Sequence, residues 1–186
     1  MTLDLSLGEL QALCTKAARG AGRAVGVAED AGHAVRWLCA RELDGAGALV
    51  ALLQATDGRT ATELAPDPET LAAPRDALCP LALGAYLSDA DLTPDGPVGP
   101  VHAPLLLRPF LVAMGRDLAP LEASSKPHGP QMVRLMACAI ASDARATRAH
   151  PDADSLDALH VFAARTYAPA TEASRAGAGS GLSDND

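Results

Sequence analysis

The chain has 186 residues, enough to bury a core without disulfides or a structural metal, so a single domain over residues 1–186 is expected. Hydrophobic residues make up 48% of it but aromatics only 3%, so the core has to be packed from Leu, Val and Ala; that suits close helix packing better than an aromatic-rich β-sandwich. A net charge of -8 argues against nucleic acid or an anionic membrane as a partner, because both require a concentrated basic surface.

Three parts are expected in order: a helical part over 1–55, a mixed middle over 75–142, and a helix with a C-terminal segment over 155–186. Ser6 and Glu9 have the spacing of a capping box and start the first helix. Leu7, Leu10, Leu13, Cys14, Ala17, Ala18 and Ala21 then recur at helical spacing, and Gly20 and Gly22 give the chain a place to stop. A second helix is predicted over 27–41, with Glu29 and Asp30 in its first turn and Arg36 and Arg41 towards its end, as the helix dipole favours. The two make a helical hairpin. A third, shorter helix over 44–54 runs through Ala48, Leu49, Leu52 and Leu53. Residues 57–74 are rich in Thr, Asp, Pro and Glu without a clear period and read as a connecting loop containing about one helical turn. The apolar runs 77–87 and 101–114 contain Pro80, Pro104 and Pro109. An interior helical proline costs about 3 kcal/mol, so short buried or edge strands are predicted there, joined by a turn over 91–100. Residues 131–142 fit a helix by the spacing of Val133, Met136, Ala137 and Ile140, and a strand by their position after "KPHGP". Ser155 is the expected N-cap of the last helix, which has to end before Pro169. The fold class is therefore α+β: helical hairpin, third helix, small central sheet, late helix and an ordered C-terminal segment.

Lys16, Arg19 and Arg23 surround a glycine turn just before the second helix, whose first N–H groups point outward; such a terminus favours a phosphate or carboxylate. The bland alternative is a solvated basic end of the first helix that complements its dipole. The spacing there is GxGxxxG between two helices, not the GxGxxG that follows a strand in dinucleotide folds. Glu29 is the candidate acid or base, although an acid in a first helical turn is also expected for dipole reasons alone. In the C-terminal segment "TYAPATEASRAGAGSGLSDND", Thr171, Ser174 and Arg175 are candidate contacts to a carboxylate or to the segment's own backbone.

Cys14, Cys39, Cys79 and Cys138 are far apart and form no CxxC pair, so reduced, buried thiols are expected. The five histidines show no HxxxH or HExxH spacing, and neither a metal nor another cofactor is expected. The opening "MTLDLSLGEL" lacks a basic region followed by an apolar run, and no stretch reaches about 20 apolar residues, which predicts a soluble, cytoplasmic protein.

The motifs "AARGAG…GVAEDAGHAVRWL" and "RTYAPATEASRAGAGSGLSDND" resemble an uncharacterised family of small bacterial proteins. The resemblance implies that both ends are a family signature and that the C-terminal segment folds back on the domain, its acids meeting Lys16, Arg19 and Arg23. Two functions from different classes are expected. One is a small-molecule binder or enzyme of amino-acid or carboxylate metabolism acting on an anionic metabolite. The other is a non-catalytic accessory subunit or homodimer module whose C-terminal segment docks on a protein partner, a role that exposed leucines between 105 and 111 would favour.

Overall fold

The computed structural model describes residues 4–73, 75–120, 128–137 and 146–167. The first turn forms as its residue types dictate. Ser6, in the short strand β1 (Leu5–Ser6), accepts the Glu9 N–H on its hydroxyl at 3.1 Å, while the Glu9 carboxylate accepts the Ser6 N–H at 2.8 Å. Helix α1 (Leu7–Gly20) follows, then α2 (Val25–Cys39) and α3 (Gly45–Ala55), so the expected hairpin and third helix are present. Asp44 caps α3 by accepting the Gly47 N–H at 2.8 Å. The polar stretch after it holds one helical turn, α4 (Ala61–Leu64), started by a second capping box between Thr60 and Glu63.

The proline-interrupted middle corrects the strands predicted over 77–87 and 101–114. Pro80 begins α5 (Pro80–Asp89), Pro104 begins a 3₁₀ turn (Pro104–Leu107), and Pro109 lies in the first turn of α6 (Arg108–Ala113). A first-turn N–H has no helical acceptor to lose, so proline is compatible with each start; its cost applies only further in. Strands do form beside these helices: β2 (Val98–Val101), β3 (Arg116–Pro120) and β4 (Gln131–Ala137) make an antiparallel sheet in the order β2-β4-β3, with Leu118 opposite Leu135 and Val98 opposite Val133. Residues 131–137 are thus a strand, while 138–142 lie outside the described residues. A second pairing joins β1 to β5 (Arg148–Ala149), with Leu5 opposite Ala149. The last helix, α7 (Ala153–Ala164), starts earlier than predicted. Asp152 is its cap and accepts the Ser155 N–H at 2.8 Å, which leaves Ser155 buried in the first turn.

The architecture is α+β, with α1, α2, α3 and α7 around one apolar cluster that includes Leu10, Ala17, Ala31, Leu49, Leu52 and Leu159. A second cluster, with Leu83, Leu87, Leu107, Leu111, Val133 and Leu135, lies where α5 and α6 meet the sheet. Few aromatics mean that helices approach through small residues. A Cβ at Gly32 would come within 2.2 Å of the Thr15 hydroxyl and 2.9 Å of the Gln11 carbonyl oxygen, and because the second is backbone, α1 and α2 approach this closely with glycine at that position.

Candidate functional site

The glycine turn between α1 and α2 does not gather the three predicted cations. Lys16 and Arg19 are exposed on α1, and Glu29 is exposed on α2. Gly22, at φ +83°, turns the chain so that Arg23 points inward instead, and Arg23 is only 7% exposed. Its Nη2 donates to the Thr56 hydroxyl and, at 3.4 Å, to the Thr56 carbonyl at the end of α3. Thr171, Ser174 and Arg175, with the rest of 168–186, lie outside the described residues.

Around Arg23 the fold builds a corner from four separate segments. The Thr56 carbonyl also accepts the Arg59 N–H at 3.2 Å, and Arg59 Nη2 donates to Asp76 at 3.0 Å. From Asp76 the chain runs to Leu78 and Cys79 at the start of α5. There the Leu78 carbonyl accepts the His102 N–H at 3.0 Å, which fixes His102 alongside. His102 is 8% exposed and is followed by Ala103 in the left-handed region at φ +38°, a conformation that a non-glycine residue adopts at a cost of about 1–2 kcal/mol. Arg59 is the accessible side of the corner, since its partner Asp76 is largely exposed.

Three nitrogens in this corner are buried without a hydrogen-bond partner: Arg23 Nε, Arg59 Nη1 and His102 Nε2. The nearby carboxylates are already engaged. Asp57 makes a two-pronged pair with Arg165 at 2.7 and 3.0 Å, Asp76 holds Arg59, and Glu63 is taken up by Arg75 and its own helix cap. Three cations (Arg23, Arg59, Arg165) against two carboxylates (Asp57, Asp76) leave one positive charge, because Arg75 and Glu63 cancel. Burial pushes the Arg23 pKa down, Cys79 and Asp57 oppose that shift, and Arg59 adds to it. Burial also pushes the Cys79 thiol up, against the Ala82 N–H, the Arg23 charge and the Leu81 N–H. This thiol is an apolar wall of the corner, not a nucleophile. Cys14 and Cys39 are free thiols like Cys79, while Cys138 lies outside the described residues.

His102 is held below its ordinary pKa, first by burial and then by the Arg59 charge, with Asp76 opposing. It is therefore neutral in the folded chain over a range where the unfolded chain has begun to bind a proton. With more protons bound in the unfolded state, stability falls as pH drops below about 6.5, by at most about 1.4 kcal/mol per pH unit for one group. A second, steeper loss is expected below about pH 4, where Asp44, Asp117 and Asp152 become protonated; hydrogen bonds hold all three below the usual carboxylate range, helped at Asp44 by His128 and at Asp117 by Arg108. Urea denaturation from pH 8 to 3 is expected to show both phases, and His102→Gln to remove only the first.

Two open clefts elsewhere on the described residues contain none of Lys16, Arg19, Arg23 or Glu29. One of ≈ 640 Å³ lies between 39–46 and 146–152 with Glu42, Asp44 and Asp152 on its walls, and one of ≈ 780 Å³ lies beside Trp37. Among the described residues no group of three or more His, Cys, Asp or Glu is arranged to hold a metal ion, and no helix is long and apolar enough to cross a membrane. Spacing could not have pointed to Thr56, Arg59, Asp76 and His102 as a set, because they come from loops and element ends widely separated along the chain.

The segment that supplies most of this corner, residues 5–79, matches a protein-family model. The family whose model it matches is described as "Protein of unknown function (DUF3726)". The match takes in the motif over residues 17–38 and reaches Cys79; His102 and the C-terminal motif lie beyond it. No curated protein and no solved structure matches the chain.

Proposed function

We propose that the protein binds a small polar anion at the corner formed by Arg23, Arg59 and His102. The observation that carries this reading is the set of three buried nitrogens without hydrogen-bond partners in a corner with one excess positive charge. Each such donor costs about 1–3 kcal/mol when left unmet, and charge-assisted hydrogen bonds to an anion would offset that cost. The ligand class is the one expected from the sequence, but only Arg23 of the predicted cations takes part. The accessory-module reading loses its motive from the leucines, since Leu106, Leu107 and Leu111 are fully buried within the chain.

Thermal unfolding of the anion-free protein tests the proposal. At matched ionic strength, about 10 mM of at least one of phosphate, sulfate, acetate or succinate is expected to raise the unfolding midpoint over chloride; a ligand at 100 times its Kd adds about 2.7 kcal/mol. The rise should vanish in Arg59→Gln, which keeps a polar side chain without the charge. No response to any of the four would remove the proposal.

A further inference from the structure

We propose a second binding site on the outer face of α2, separate from the Arg23 corner and independent of it, for a small organic carboxylate with an apolar body. The cleft of ≈ 780 Å³ beside Trp37 is walled by Arg36, Arg41 and His33, with Leu7 and Gly8 at the start of α1. Its described lining residues include no carboxylate, in a chain whose net charge is -8. Arg36 donates Nη1 to Gln11 Oε1 at 3.0 Å, and Arg41 lies over the Trp37 ring at 3.7 Å while donating Nη1 to the Trp37 carbonyl at 3.1 Å. These partners are uncharged, so they hold both guanidinium groups in place without cancelling the positive charge. The capping box engages the Ser6 and Glu9 N–H groups and the Glu9 carboxylate. The Leu7 and Gly8 N–H groups have no acceptor within the helix, and a Cβ at Gly8 would meet nothing within 4 Å, so the backbone is open there. The positive end of the α1 dipole thus adds to the arginines.

The same face continues into an apolar cleft of ≈ 230 Å³ walled by Ala34, Pro109, Phe110 and Ala113. His33 and Trp37 line both clefts, so the two meet there. Helical spacing produces this order, because Asp30, His33, Ala34, Trp37 and Arg41 follow one another three or four residues apart or side by side along one side of α2 and its end. Phe110 packs against Gly84, which fixes the apolar wall, and the Ala146 N–H donates to the Ala40 carbonyl at 2.8 Å, which fixes the far rim of the larger cleft. Asp30 borders the apolar cleft and not the arginine cleft; burial pushes its carboxyl pKa up, against the pull of His33. A carboxylate is therefore drawn to the arginine end, where a guanidinium fork suits its two oxygens. A chain or ring attached to it runs past Trp37 towards Phe110 and leaves water as it does so. An ion without such a body would use only half of the site.

Trp37 is the only tryptophan in the chain, so its fluorescence reports on this face and not on the Arg23 corner. Titration of the full chain with octanoate, 3-phenylpropionate, acetate and octanamide at one ionic strength, followed by Trp37 emission and by calorimetry, tests the proposal. Octanoate or 3-phenylpropionate is expected to bind at least tenfold more tightly than acetate, which lacks the apolar body, and than octanamide, which lacks the charge. Arg36→Gln is expected to weaken that binding at least tenfold, Ala113→Glu to weaken it by placing a charge at the apolar end, and Arg59→Gln to leave it unchanged. Tighter binding of octanoate would identify a chain as the body, and of 3-phenylpropionate a ring; either supports the proposal. Acetate or octanamide binding as tightly as both would overturn the ligand class. Binding by neither carboxylate, or binding unaffected by Arg36→Gln, would overturn the site.

Discussion

Gly20→Ala is expected to destabilise the fold by about 3 kcal/mol, the upper part of the range for overpacked cores, although alanine is the better helix former. The added Cβ would stand 1.8 Å from the Phe162 carbonyl oxygen and 2.8 Å from its carbonyl carbon. Both are backbone atoms of α7, so no rotamer change relieves the clash. The helix itself must move, and it would take Leu159, Phe162 and Ala163 away from the buried face of α1 that carries Ala17 and Ala18. Gly8, in the first turns of the same helix, is the internal control. Nothing lies within 4 Å of a Cβ there, so Gly8→Ala is expected to be neutral or to stabilise by up to about 1 kcal/mol. Urea denaturation of the two variants separates packing from propensity. Equal stability of Gly20→Ala and the parent would mean that α1 and α7 are not in contact at this point.

The helices most legible in the sequence are those specified by local chemistry. The Ser6 and Glu9 capping box, the apolar spacing through Leu10, Cys14 and Ala17, and the periodic stripe of α2 are short-range signals, and the structure places those elements within about two residues of the expected ends. The middle is less legible for an equally local reason. By residue type Pro80, Pro104 and Pro109 read as helix breakers, whereas each lies at or near a helix start, where the missing N–H has no partner to lose. At α7, Asp152 and Ser155 are both good caps by residue type, and which one acts follows from where the chain leaves β5. The candidate site was legible only in its first residue. Arg23 reads as part of a basic turn with Lys16 and Arg19, and nothing within ten residues shows that it faces Thr56 at the end of another helix. Arg59 and His102 lie in stretches without a helical period, and only the tertiary fold brings them beside it.

The second large effect concerns Arg23 itself. A guanidinium this deeply buried, whose neighbouring acids are engaged by other arginines, carries a desolvation cost of several kcal/mol that its hydrogen bonds to Thr56 meet only in part. A methionine has similar reach, no charge to desolvate and no donor to satisfy, and the Thr56 hydroxyl keeps its own bond to the Leu52 carbonyl at 2.6 Å. In anion-free buffer Arg23→Met is therefore expected to be as stable as the parent or more stable by about 1–3 kcal/mol. The same substitution is expected to abolish stabilisation by phosphate.

The most direct test of the anion site is the unfolding free energy of Arg23→Met measured by urea denaturation in chloride buffer and again with added phosphate. An anion site at Arg23 predicts a variant at least as stable as the parent in chloride and indifferent to phosphate, beside a parent that phosphate stabilises. A variant less stable than the parent by more than about 1 kcal/mol in chloride, with an unchanged response to phosphate, would show that Arg23 is a structural cation and would contradict the account.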